Sequence, residues 1–199
     1  MKPVTIIEGT AVPLDRSDVD TDQIIPSDWL KRVEKTGFEK GLFSEWRDDK
    51  NFILNNEDYA GACILIAGPN FGTGSSREHA VWAIQQAGFD AVISPRFGPI
   101  FKNNATKNGL VPIEIDSHLG NQLLHEVGQN PDLHFVIDIA QRSVEVPQLG
   151  LAIKFELEGS VQDRFLKGLD DISITLNNVE AIKDFETSRG EWLPSQNSI

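Results

Sequence analysis

An α/β fold with a βαβα core is predicted by three observations. The run Ala62-Cys-Ile-Leu-Ile-Ala67 has the length and apolar character of a buried strand. Ala91-Val-Ile-Ser94 and Leu110-Val-Pro-Ile-Glu-Ile115 repeat that signal. A helical pattern closed by glycine separates each pair: Val81–Ala87 before Gly88, and a helix from about Pro99 stopped by Gly109. This spacing from 62 to 115 argues for parallel pairing through right-handed crossovers. Pro112 places the third strand at an edge or near a bulge. Strands elsewhere extend the arrangement to a mixed sheet flanked by helices.

Taken in order, Val4-Thr-Ile-Ile7 and Gly9-Thr-Ala-Val12 read as short strands. Asp15 to Pro26 is polar, with acids at 18, 20 and 22 that imitate the start of a calcium loop. Gln23 stands where the turn glycine belongs, and Trp29 where the bidentate Glu belongs, so calcium does not fit. A polar turn is the simpler reading. Asp22 precedes Ile24-Ile25, so a strand or turn can aim its carboxylate inward, where a loop arginine would pair with it. Residues 27–57 mix aromatics, glycine and charge. They read as a long surface excursion, either a mobile recognition loop or a partner contact made by exposed aromatics. A helix at His118–Gly128, strands at 133–139, 143–146 and 151–157, a helix at Val161–Lys167 and a final helix at Val179–Ser188 complete the chain, with a loose tail from Gly190.

At 199 residues and 40 % apolar content the chain is expected to fold as one domain spanning 1–199. Thirty acidic against 18 basic residues set the net charge at −12, and no basic run occurs, which argues against nucleic acid. The single cysteine, Cys63, allows no internal disulfide and no cysteine-rich metal site. An inert buried thiol is the reading for it. The four histidines show no metal-ligand spacing. No apolar run reaches the ~20 residues of a membrane span, and no secretory leader is evident. The expected location is the cytoplasm, or an organelle matrix after loss of a transit peptide.

The chemistry concentrates in Gly68-Pro-Asn-Phe-Gly-Thr-Gly-Ser-Ser-Arg-Glu-His-Ala80, between the first core strand and its helix. Ser75-x-x-Glu78 has the form of a capping box, so Ser75 or a close neighbour should cap the helix. Two hydroxyls, Ser75 and Ser76, and the guanidinium of Arg77 then stand at a positive helix end, which suits a small anion. Such loops also serve merely to turn the chain. No lysine of a phosphate loop follows, and Arg77 occupies the place of the third dinucleotide-binding glycine. A forked donor there favours a carboxylate over a nucleotide.

Four ordered motifs carry a resemblance. Asn70 to Ala80 resembles the signature of the aconitase superfamily's swivelling domain, of β/β/α type, and Asp18-Val-Asp-Thr-Asp-Gln-Ile-Ile-Pro26 is similar to the N-terminal motif of its small-subunit members. Phe97 to Ile113 resembles the third motif, and Gly168-Leu-Asp-Asp-Ile172 with Thr175-Leu176 the C-terminal part. Length and motif set are similar to those of the isopropylmalate isomerase small subunits of leucine biosynthesis. That resemblance implies a hydro-lyase interconverting 2- and 3-isopropylmalate through an alkene. It implies Ser75 as base, Asp22 as an active-site carboxylate, Ser76 and Arg77 as a carboxylate clamp, and Arg32 as a contact to the far carboxylate. It also implies a [4Fe–4S] cluster on three cysteines. One cysteine cannot hold it, so the resemblance places it on a large iron–sulfur subunit, without which this chain would be inactive. A small subunit of a related hydro-lyase (homoaconitase or citraconate hydratase type) remains open, as does a non-catalytic anion-binding or interaction module.

Overall fold

The computed structural model describes residues 1–31, 34–75 and 77–190. Among these described residues, two four-stranded sheets form the frame. The parallel one runs β2 (Ala11–Leu14), β3 (Ile64–Ala67), β4 (Ala91–Ser94), β5 (Val111–Glu114) in spatial order. The antiparallel one runs β1 (Ile6–Gly9), β6 (Phe135–Asp138), β7 (Ser143–Val146), β8 (Leu151–Lys154). The expected α/β architecture is present, with the two strand directions divided between two sheets. The division begins at Thr10: β1 pairs with β6, and β2, two residues later, pairs with β3. Such long-range pairing choices leave no local signal in the strands themselves.

Burial explains the two textures. β2, β3 and β4 are buried along their whole length, as strands covered on both faces must be, and they read as continuous apolar runs. β6 alternates buried and half-buried positions. Pro112 sits in β5, the edge of the parallel sheet, where a missing backbone donor is tolerated. Helices α3 (Glu78–Gln86) and α4 (Pro99–Asn108) connect β3 to β4 and β4 to β5 and pack on one another. Pro99 at the first turn and Gly109 in the left-handed conformation bound α4, as its sequence indicates. Helix α5 (Ser117–Gln129), capped by Asp116, packs against β2 and β3.

Residues 27–57 depart from the expectation of exposed aromatics. Among its described residues the segment forms short 3-10 turns (Ser27–Lys31, Phe38–Gly41, Ile53–Asn55) and a helical turn, α2 (Ser44–Arg47), which follows α1 (Thr21–Ile24) in the chain. Phe38, Leu42, Phe43 and Phe52 are core residues. Phe38 meets the rings of His79 at 5.2 Å and Trp82 at 5.7 Å on α3, and Phe43 stacks on Trp46 at 5.2 Å. Gln86 of α3 fastens the segment, accepting from the Phe38 N–H at 2.9 Å and donating to Lys35 O at 2.8 Å. Burial of large rings stabilises by about 1.5–3 kcal/mol each, which is why these aromatics turn inward despite their charged neighbours.

Beyond β8, α6 (Gly159–Lys167) ends at left-handed Gly168. Helices α7 (Asp171–Leu176) and α8 (Val179–Ser188) follow, the latter with the bounds its sequence indicates. Ile172-Ser-Ile-Thr-Leu176 is therefore helical, with Asp170 as its cap. The tail from Glu191 lies outside the described residues.

Candidate active site at the carboxyl ends of the parallel strands

β2, β3 and β4 all deliver their following loops to one edge of the sheet, the usual place for a ligand in a parallel α/β fold. The loop after β3 is zipped to the segment after β2 by backbone bonds. Asp18 N–H donates to Pro69 O at 2.9 Å, Gly72 N–H to Val19 O at 2.7 Å, and Thr21 N–H to Thr73 O at 2.9 Å. The segment after β4 closes the other side: Phe71 N–H donates to Arg96 O at 3.0 Å and Gly98 N–H to Phe71 O at 2.8 Å. Beneath them the buried Ser94 hydroxyl lies 2.8 Å from the carbonyl oxygens of both Gly68 and Arg96.

Two glycines make this crossing possible. Gly72 has φ +75°, and a Cβ there would stand 2.3 Å from Phe101 Cγ of α4. A Cβ on Gly98 would stand 2.3 Å from Gly72 O. The loop thus lies flat on the start of α4, and Gly74 at φ +94° turns Ser75 away from the core.

The structure brings Ser75, Asp22 and Arg77 together. A single helical turn, α1, straddles the loop. Asp20 caps it, accepting from Gln23 N–H at 2.8 Å while Gln23 Oε1 accepts from Asp20 N–H at 3.0 Å. Thr21 and Asp22 then face successive parts of the loop. The Thr21 hydroxyl lies 3.4 Å from Ser75 Oγ, and Asp22 Oδ1 accepts from an Arg77 Nη1–H. Ser75 is exposed, the Arg77 side chain is 21 % exposed and that of Asp22 57 %. Asp22 thus finds the loop arginine expected for it, and from a turn, but the carboxylate faces solvent and is not aimed inward.

The Ser75–Glu78 capping box does not form. Helix α3 begins at Glu78, with Arg77 at the capping position and no side-chain cap bond. The pull on Ser75 comes from elsewhere: its hydroxyl and carbonyl meet Thr21, and its carbonyl also accepts from Arg77 N–H at 2.9 Å. His79, in the first turn of α3, sits against Phe38 and Trp82. Burial pushes its pKa down from 6.5; Arg77 adds to that and Glu78 opposes it. It is a packed ring beside the site. Ser76 and Arg32 lie outside the described residues.

Thr21 is the contact that sequence reading passed over. A Thr between two acids carries no signal of its own. Asp20-x-x-Gln23 has a capping pattern that could have located α1 and hence its direction.

Residues 1–118 match the family model described as the aconitase C-terminal domain. The chain belongs to the aconitase C-terminal domain family. Within that family it is 56 % identical over 195 residues to the 3-isopropylmalate dehydratase small subunit of Frankia alni, covering 98 % of this chain and 99 % of that one. It is 51 % identical to the protein of the same name from Rubrobacter xylanophilus, covering 98 % of each. The crystal structure of 3-isopropylmalate dehydratase from Methanocaldococcus jannaschii superimposes with a TM-score of 0.65 at 28 % identity, over 91 % of this chain and 99 % of that chain. No helix among the described residues is long and apolar enough to cross a membrane.

The residues of this aconitase-family chain do not fit an iron–sulfur cluster. A [4Fe–4S] cluster takes several thiolates, and the sequence holds Cys63 alone. That thiol is half-buried, points to Glu8 O at 3.5 Å, and is pushed up in pKa by burial and by Asp90. No group of three or more His, Cys, Asp and Glu comes together to hold a metal ion among the described residues.

Proposed function

We propose that this chain is the small subunit of a 3-isopropylmalate dehydratase, contributing a base and a carboxylate clamp to an active site completed by a large subunit. The observation that carries the reading is Ser75, exposed at the strand ends with the Arg77–Asp22 pair two residues away. Ser75 itself is exposed, and a cleft of about 620 Å³ between α4 and α6 is lined by other residues.

In the proposed reaction Ser75 Oγ, as the anion, takes a proton from the carbon next to a substrate carboxylate. The C–H electron pair becomes the C=C bond, and the hydroxyl on the neighbouring carbon leaves with the C–O pair. The reverse steps with exchanged carbons give the other isomer. A serine anion needs help at neutral pH. Arg77 and the N-terminus of α3 both place positive charge beside it. Arg77, held by Asp22, offers the remaining donors of its fork to the substrate carboxylate, together with Ser76. Arg32 follows the turn Ser27–Lys31, directly after α1, and is assigned the far carboxylate. The segment 27–57, carried on this single swivelling domain, is assigned substrate recognition. The leaving hydroxyl is activated from outside this chain, and we assign that task to a [4Fe–4S] cluster on the large subunit. The assigned compartment is the cytoplasm.

The test is reconstitution. Neither chain alone should turn over 2-isopropylmalate, and the mixed complex should. Turnover of a hydroxy-diacid with a second polar arm in place of the isopropyl group, with none of 2-isopropylmalate, would move the chain to a related hydro-lyase.

A further inference from the structure

Thr21 is 2 % exposed, and its hydroxyl meets the proposed base directly. Its Oγ1 lies 3.4 Å from Ser75 Oγ and 3.3 Å from Ser75 O. The backbone around it is fixed independently of that hydroxyl. Thr21 N–H donates to Thr73 O at 2.9 Å, Thr21 O accepts from Ile25 N–H at 3.0 Å, and Asp20 caps the turn. A threonine on a fixed helical backbone has two main χ1 choices, and the one adopted turns Oγ1 to Ser75.

A buried hydroxyl must find its partners locally. The Thr21 proton has two acceptors on Ser75, the carbonyl and the side-chain oxygen. With Ser75 neutral, either hydroxyl can be the donor. With Ser75 ionised, its Oγ is the stronger acceptor and has no proton to give, so Thr21 donates to it. The contact is then stronger in the charged state of Ser75 than in the neutral one, which lowers the proton affinity of the base. We infer that Thr21 is a positioning residue that aims Ser75 Oγ and favours its anion. This rests on the reading of Ser75 as the base.

The experiment compares Thr21→Val, Thr21→Ser and Ser75→Ala, each assembled with the wild-type large subunit and checked for assembly by co-elution. Thr21→Val keeps the shape and removes the donor. It should lower kcat about ten- to hundredfold, the worth of a hydrogen bond to a charged group. KM for 2-isopropylmalate should stay within about twofold, and the acid limb of the kcat profile should move to higher pH. Thr21→Ser should restore both kcat and profile. If Thr21→Val does not assemble, Thr21→Ala removes the same donor and is held to the same outcome. Inactive Ser75→Ala with an unchanged kcat and pH profile in the Thr21 variant overturns the role of Thr21 alone. Active Ser75→Ala overturns the assignment of the base, and this inference with it.

Discussion

Replacing Gly98 by Ala tests whether the crossing of the two loops sets the position of Ser75. Gly98 has φ −60° and ψ 129°, which alanine adopts without strain. The added Cβ is the difficulty, because it would stand 2.3 Å from Gly72 O, a backbone atom. Ordinary contact begins at 3.4 Å, so 3.4 − 2.3 gives a required shift of 1.1 Å. Gly72 cannot retreat easily, since its own missing Cβ leaves it against Phe101. Overpacking of this kind costs about 1–3 kcal/mol, and the poorer helix cap adds about 1 kcal/mol. The shift passes along the loop through Thr73 to Ser75. Misplacement of a catalytic group by about 1 Å costs about a hundredfold in rate. The expected result is therefore a loss of about 2–4 kcal/mol in urea unfolding together with a loss of about a hundredfold in kcat of the assembled enzyme. Gly88→Ala is the control. With φ +101° and open space around it, it should cost about 1–2 kcal/mol of stability through its backbone alone and leave kcat unchanged. A Gly98→Ala enzyme with wild-type kcat would refute the idea that this crossing positions Ser75.

Arg77→Lys keeps the charge but loses the planar fork, so KM for the diacid should rise by an order of magnitude or so while assembly is retained; steady-state kinetics on the complex checks it. Because His79 binds its proton more weakly folded than unfolded, its contribution to stability is complete above pH 6.5 and falls as the pH drops below that value. Urea midpoints at about pH 7.5 and 5.5 should therefore differ more for the wild type than for His79→Gln. Gly128, near the end of α5 with nothing within 4 Å of its would-be Cβ, should accept alanine with a gain of about 0.5–1 kcal/mol, measured by the same unfolding.

What could be read from the chain was local. Pro99 and Gly109 bound α4 as their backbone preferences require, Val179–Ser188 is helical throughout, and Ala91–Ser94 is a strand end to end. What could not be read was decided by partners distant in sequence. Ser75 has a good capping pattern, but Thr21, 54 residues away, competes for its hydroxyl and carbonyl, and α3 starts at Glu78. Phe38 is followed by Glu39 and Trp46 stands between Glu45 and Arg47, and only the approach of α3 shows that Phe38 faces inward. β1 and β2 are two residues apart, and nothing in either records that they join different sheets. Within the site, the pairing of Asp22 with Arg77 was legible because a carboxylate and a lone loop arginine stood in two short polar segments. The role of Thr21 was not, because a hydroxyl acts through geometry that sequence does not display.

The most direct test of the account is the Ser75→Ala chain assembled with a wild-type large subunit that supports turnover with the wild-type chain. The account predicts normal assembly and substrate binding, with turnover of 2-isopropylmalate reduced by about 10²–10⁴-fold. A complex of the same composition turning over at the wild-type rate would contradict it.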